Sequence, residues 1–304
     1  MPISARRRRR PARWVALAAA GTLLLAGCGR QVGAAAVVGG DPISSATIDA
    51  QRSALPDATD TPAPAADRVA QAARITEDRT LVTYAIWHRQ LQRAGIVSPL
   101  TDEEYAQFVA DAATVSRISG LLVTGPDTLR ERVEDTFSLQ QLVQDAVQAG
   151  TPVSGPTIRY EFLAVDTLAA ALDARTRYAG DPGAWAGDVA AAGEQRGGEG
   201  EAVAAGAGAR LIPTGLFSAA PGSFVVVPGG DGTATVLRVT ERSVGSAPLD
   251  GAALSQLDPN AVNALGGMLL AQRAGSAAGD VEVNPRFGVW DPVVAHVVPA
   301  PAQL

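Results

Sequence analysis

Ala36-Val37-Val38-Gly39-Gly40-Asp41-Pro42-Ile43-Ser44 reads as the end of an apolar strand that begins at Ala34, a two-glycine turn, and a second extended piece. A strand with no polar alternation needs a partner, and the other apolar strand without one is Val281 to Val283, near the far end of the chain. Working outward, Ser44 and Ser45 can cap a helix running through Ile48 to about Leu55. Pro56 to Ala66 lacks apolar periodicity and is expected to be a loop. Leu81, Tyr84, Ala85, His88 and Leu91 then make a helical stripe that stops near Gly95. Thr101 with Glu104 forms a capping box ahead of Tyr105, Phe108, Val109, Ala112 and Val115. Gly125-Pro126-Asp127 starts a third helix, with a stripe from Leu129 to Ala146 and a stop at Gly150.

The texture changes after Pro152 and Pro156. Thr157 to Val165 alternates as a strand, Thr167 to about Tyr178 and Trp185 to Ala192 read as helices, and Gly193 to Gly208 is too weakly apolar to pack. Ser223 to Val227 and Thr233 to Val239 flank Pro228-Gly229-Gly230-Asp231-Gly232 as a β-hairpin. Asp258 caps a last helix that has Pro259 in its first turn, carries Val262, Leu265, Met268 and Leu269, and stops at Gly275. Val281 to Pro292 is a strand leading into a turn, and the Pro/Ala/Val-rich tail after it is expected to be loose.

The N-terminal segment sets the compartment. Arg6 to Arg10 with Arg13 precede an uncharged apolar run from Trp14 to Leu25, then Ala26-Gly27 and Cys28, the chain's one cysteine. That order is a secretory signal, its apolar run being shorter than the roughly 20 residues of a membrane-spanning helix. Leu25-Ala26-Gly27-Cys28 resembles the bacterial lipobox, whose Cys thiol receives a diacylglyceryl group and becomes the new N-terminus. Its acyl chains, of the palmitate kind, would anchor the chain on the outer face of the cytoplasmic membrane. With Cys28 lipidated no disulfide is possible, so stability has to come from packing. Removing the leader takes six of the 25 basic residues, all Arg, and none of the 31 acidic ones, shifting the net charge from −6 to near −12. An acidic chain without clustered basic residues offers no footprint for nucleic acid.

Three stretches together resemble the extracytoplasmic SurA/PrsA foldases. The opening Ala36 to Ser44 is similar to the first strand-turn-helix of their N-terminal chaperone domain. Gly95-Ile96-Val97-Ser98 running into Asp102-Glu103-Glu104-Tyr105 is similar to its inter-helix segment, and Val283-Asn284-Pro285-Arg286-Phe287-Gly288 to the closing strand of such lipoproteins. The resemblance implies an α+β fold, with a SurA-like helical module completed by a C-terminal helix and strand around a degenerate parvulin-like insert. The implied divisions are 1–27 leader, 28–150 helical module, 151–245 insert, 246–292 returning helix and strand, and 293–304 flexible tail. It also implies an ATP-independent chaperone whose partners are unfolded or nascent secreted chains and whose lipid anchor holds it to the membrane.

Parvulins place a His in the first strand and typically another in the last, with a Cys or Asp between. Here the first strand reads Ile158-Arg159-Tyr160-Glu161-Phe162 and the last offers Thr235, Leu237 and Val239, with no His or Cys in the insert. No catalytic residue is therefore assigned. An active isomerase remains the alternative only if Tyr160, Thr235 or Asp231 can stand in for imidazole. A delivery lipoprotein without client binding is the third reading.

Other candidates read as structural. His88 and His296 are expected to be packing or surface histidines, and two His with one lipidated Cys do not furnish the usual zinc ligands. No metal or cofactor is expected. Asp102, Glu103 and Glu104 suit the positive end of a helix better than a carboxylate dyad. Gly197-Gly198-Glu199-Gly200 lacks the trailing Lys-Ser/Thr of a phosphate cradle. Trp185, Trp290, Phe217 and Phe224 are expected in the core rather than in a peptide groove. Client binding is expected on apolar helix faces between residues 67 and 150.

Overall fold

In the computed structural model the described residues are 33–55, 64–111, 115, 123–229, 232–249, 251–275 and 280–300. The leader, Cys28, Asp231 and residues 56–63 and 301–304 lie outside them.

The chain opens with β1 (Ala34–Val38), buried at every position, which turns through Gly39 and Gly40 into β2 (Asp41–Ser44). Both glycines have positive φ, +54° and +93°, as a two-residue hairpin turn of the primed type requires. Gly39 also leaves room for Arg93, whose guanidinium donates to the carbonyls of Val38 and Gly39 at 2.9 and 3.1 Å. Ser44 caps α1 (Ser45–Ser53) by accepting from the Ala46 amide, and Ile48 is fully buried beneath it.

α2 (Pro64–Ala94) is 31 residues long, about 46 Å at 1.5 Å per residue. Its C-terminal half is core, with Leu81, Val82, Ile86, Trp87 and Leu91 buried. Its N-terminal half extends the helix well upstream of the expected start, so the loop expected over Pro56 to Ala66 gives way to helix at Pro64. Alanine-rich sequence holds a helix without deep packing and so leaves no stripe of large apolar residues to read. α3 (Asp102–Val109) starts at the expected capping box, Thr101 Oγ1 accepting from Glu104 N while the Glu104 carboxylate accepts from Thr101 N. α4 (Leu129–Ala149) stops at Gly150, whose φ of +60° is the left-handed cap.

The insert is a four-stranded antiparallel sheet of order β4-β3-β6-β5: β3 (Pro152–Val165), β4 (Gly197–Val203), β5 (Phe224–Pro228) and β6 (Ala234–Pro248). Helices α5 (Leu168–Gly180) and α6 (Ala184–Ala192) cover one face around a Tyr178–Trp185–Phe224 cluster with ring centroids 4.9 to 5.5 Å apart. The other face packs on two 3₁₀ segments, Ala207–Thr214 and Leu216–Ser218, and on the returning helix.

After a short helical turn, α7 (Gly251–Leu254), α8 (Pro259–Ala274) returns with Asp258 as its cap and runs against α2 and α4. β7 (Val281–Val283) then pairs antiparallel with β1, Ala36 facing Val283 and Val38 facing Val281. The order β2-β1-β7 thus brings Val37 and Val283 into one sheet, as the resemblance implied.

Two further expectations fail. The residues from Gly193 to Gly208, expected not to pack, contain β4, which pairs with β3 from Gly197 opposite Leu163 to Val203 opposite Thr157. Gly198 and Gly200 lie beneath Phe162 and Tyr160, whose rings would be 3.0 and 2.7 Å from a Cβ at those sites. The glycines are the floor on which two aromatic rings lie. The tail expected to be loose from residue 293 instead folds: β8 (Val289–Asp291) pairs with β9 (His296–Val298), and Val294 to Val298 are buried. Trp87 Nε1 donates to the Ala295 carbonyl at 2.8 Å, and the Val297 amide to Thr83 Oγ1 at 3.0 Å.

Candidate functional site

The N-terminal half of α2 stands against the insert with a groove of about 670 Å³ between them. Ala72, Ala73, Ile75 and Thr76 of α2 form one wall. Leu168 and Leu172 of α5 and Val225, Val226 and Pro228 of β5 form the other, with Pro213, Thr214 and Pro299 completing the lining. Local sequence places these side chains. Thr167 caps α5 by accepting from the Ala170 amide at 3.1 Å, and Leu168, Leu172 and Arg175 follow at i, i+4 and i+7 on one helix face. Small residues on α2 keep its wall low, and Ile75 remains 37 % exposed. Arg68 of α2 bridges to Asp173 of α5 at 2.5 Å and ties the two walls together.

Three charged side chains also line the groove: Glu77, Arg79 and Arg175. Arg79 Nε donates to the Phe287 carbonyl at 3.2 Å. Burial, then the nearby Arg175 charge, pushes the Arg79 guanidinium below its ordinary value. Burial raises the Glu77 carboxyl, and the charges it feels are those of Asp78, Arg74 and Arg52. Chemically this is a place to cover apolar surface, at about 25 cal/mol per Å² removed from water.

A second cluster joins α2 to α4. His88 Nδ1 lies 2.9 Å from Asp135 Oδ1, while Nε2 meets Gln92 at 2.7 Å and Glu131 at 3.5 Å. His88, Glu131 and Asp135 offer one imidazole and two carboxylates within 4.8 Å of one another, the ligand types of a metal site. Both ring nitrogens already have protein partners, however, and the buried Arg132 cation lies alongside, stacked on Tyr84 at 4.4 Å. The geometry is that of a clamp between helices, and the Asp135 hydrogen bond raises the His88 pKa.

The other singled-out residues fall as follows. Asp102 to Glu104 are the first turn of α3. Trp185, Phe217 and Phe224 are buried, while Trp290 is half-buried. His296 is buried beside Trp87 rather than near His88. In the insert the first and last strands pair directly, bringing Tyr160 opposite Val239 and Phe162 opposite Leu237. On the helix faces between residues 67 and 150 expected to bind clients, Leu81, Leu91, Leu129, Val133, Leu139, Leu142, Val143 and Ala146 are buried, whereas Phe137 stands 42 % exposed. The groove residues themselves carried no joint signal, since five separate segments supply them; the i, i+4, i+7 spacing of Leu168, Leu172 and Arg175 was its one legible part. Among the described residues no helix is long and apolar enough to cross a membrane.

No protein-family model matches this chain, and no curated protein matches it. Among solved structures it is similar to one from a study of the virulence factor PEB4 and the periplasmic protein Cj1289, described as two structurally related SurA-like chaperones of Campylobacter jejuni. The identity is 14%, over 83% of this chain and 99% of that one, with a TM-score of 0.22.

Proposed function

We propose that this protein is an extracytoplasmic, membrane-tethered chaperone that holds unfolded secreted chains without ATP. The observation that carries the reading is the apolar groove between α2 and the insert, open to solvent and lined by aliphatic and proline side chains. Contiguous apolar surface of this kind marks a binding site more often than an accident of packing. A holding chaperone needs modest affinity, because its client must leave in order to fold. The leader and the lipobox-like Leu25-Ala26-Gly27-Cys28 supply the address: an acylated Cys28 at the outer face of the membrane. Detergent phase partition checks the anchor: the native protein should enter the detergent phase, a Cys28→Ser variant should lose the lipid and either stay uncleaved or be released, and a fully aqueous native protein would overturn the lipobox reading. The isomerase alternative draws no specific support from the paired strands, where Tyr160, Phe162, Leu237 and Val239 meet. The function itself is tested by light scattering of a denatured client, whose aggregation this protein suppresses with no nucleotide present. A client that aggregates unhindered at several-fold molar excess of the protein would favour the delivery-lipoprotein reading.

A further inference from the structure

The client-binding reading leaves open the form in which a client is held, and a sheet edge inside the groove bears on that. Resting on that reading, we propose that the groove takes one extended, apolar client segment and adds it as a further strand along the outer edge of β5. In the order β4-β3-β6-β5, β5 is an outer strand, paired with β6 alone among the described residues. Its register fixes which main-chain groups face outward. The Gly229 amide donates to the Thr233 carbonyl at 2.8 Å and the Val239 amide to the Ser223 carbonyl at 3.0 Å, which marks positions 223, 225, 227 and 229 as those bonded to β6. The amide and carbonyl of Phe224 and Val226 therefore point away from β6, as does the carbonyl of Pro228. The groove meets this strand edge-on. Val225 belongs to the core beneath one face of the sheet and Val226 to the α5–α6 layer on the other, yet both line the groove. Leu168 and Leu172 flank the edge on the α5 side and Pro213 on the 3₁₀ side, with Ile75 of α2 across from it. An added strand would lie about 4.8 Å from β5, its successive side chains turned alternately toward Leu172 and toward Pro213. A bound helix would satisfy its own main chain and leave the outward groups of Val226 without partners, so the edge selects an extended segment. Proteins often cover such edges to prevent pairing, but here about 670 Å³ lies between α2 and the insert, with Val226 half-buried and Pro228 exposed. Pro228 has no N–H to offer and closes the pairing stretch at that end.

The test uses the purified protein and a capped fluorescent peptide of alternating valine and threonine, followed by anisotropy. Two variants at one position separate main chain from side chain. Val226→Ala trims the side chain and keeps the outward N–H, whereas Val226→Pro removes that N–H and leaves the β5–β6 ladder whole, because the amide does not face β6. Val226→Pro should weaken the peptide about tenfold relative to Val226→Ala, with circular dichroism checking the fold. Amide hydrogen exchange by NMR supplies a reading that needs no variant. In the native protein the Val226 amide should exchange at least tenfold more slowly once the peptide is bound, while Val225 and Val227, already bonded to β6, change little. Equal peptide affinity of the two variants, or a Val226 exchange rate that the bound peptide leaves unchanged, overturns strand addition and leaves the chaperone reading intact. So does failure of the peptide to bind a protein that still suppresses client aggregation. Failure to bind together with unhindered client aggregation overturns both.

Discussion

The imidazole of His296 is buried against Trp87, ring centroids 5.5 Å apart, and among the described residues neither of its nitrogens has a hydrogen-bond partner. Burial alone lowers its pKa from 6.5 to about 3. The unfolded chain therefore takes up a proton below about pH 6.5 that the folded chain refuses. Stability from this residue is whole above that pH and falls as the pH drops toward about 3, by on the order of 4 kcal/mol. His88 works in the opposite sense. Its pKa is raised above 6.5 by the Asp135 hydrogen bond, so its contribution is whole below that value and fades as pH rises through the raised one. His296→Phe keeps the ring and removes the titration. Urea midpoints for this variant should change less between about pH 7 and pH 4 than those of the native protein, by roughly 3 kcal/mol in unfolding free energy. Identical pH dependence in the two proteins would place the acid-sensitive group elsewhere.

Among the elements, α8 depends on two adjacent glycines for its close approach to α2 and α4. A Cβ on Gly266 would lie 2.7 Å from the Leu139 carbonyl oxygen, and one on Gly267 would lie 2.5 Å from the Trp87 ring. Backbone cannot yield as a side-chain tip can, so Gly266→Ala should cost about 1–3 kcal/mol by forcing the helices apart. Gly187→Ala, on the exposed face of α6 with nothing within 4 Å of the new methyl, should instead stabilise by about 0.5–1 kcal/mol. Thermal unfolding of the two variants gives the comparison, and equal effects would contradict the tight α8 interface. The elements that the sequence made legible are those with local chemistry: the Gly39-Gly40 turn, the Thr101–Glu104 box, the Gly150 stop and the Asp258-Pro259 start. β4 was hidden because its glycines make sense only beneath Tyr160 and Phe162, some 40 residues away in the chain. β9 was hidden because a Pro/Ala/Val tail looks the same whether or not Trp87 and Thr83 wait for it. The His88–Asp135 contact, 47 residues apart, had no sequence signal at all.

At the scale of the whole molecule, insert and helical module share an apolar core. Val143 and Ala146 of α4, Ile158 and Val239 of the sheet, Phe217, Leu265 and Met268 of α8, and Val294 belong to one buried cluster. Removing Thr157 to Ser243 would therefore open that core instead of releasing a spare part, and Pro292 is no boundary because β9 lies beyond it. The shared core also fixes the groove, since α2 belongs to the module while α5 and β5 belong to the insert. Client holding should accordingly reside in the groove walls and be separable from folding. The measurement is aggregation of a denatured client followed by light scattering, comparing the native protein with Ile75→Glu/Leu172→Glu. Ile75 is 37 % exposed and Leu172 half-buried, so both charges can stay in water while occupying opposite walls. The account predicts suppression by the native protein without nucleotide, and its loss in the double variant with circular dichroism and urea midpoint preserved. Equal suppression by the two proteins, or none by either, would contradict it.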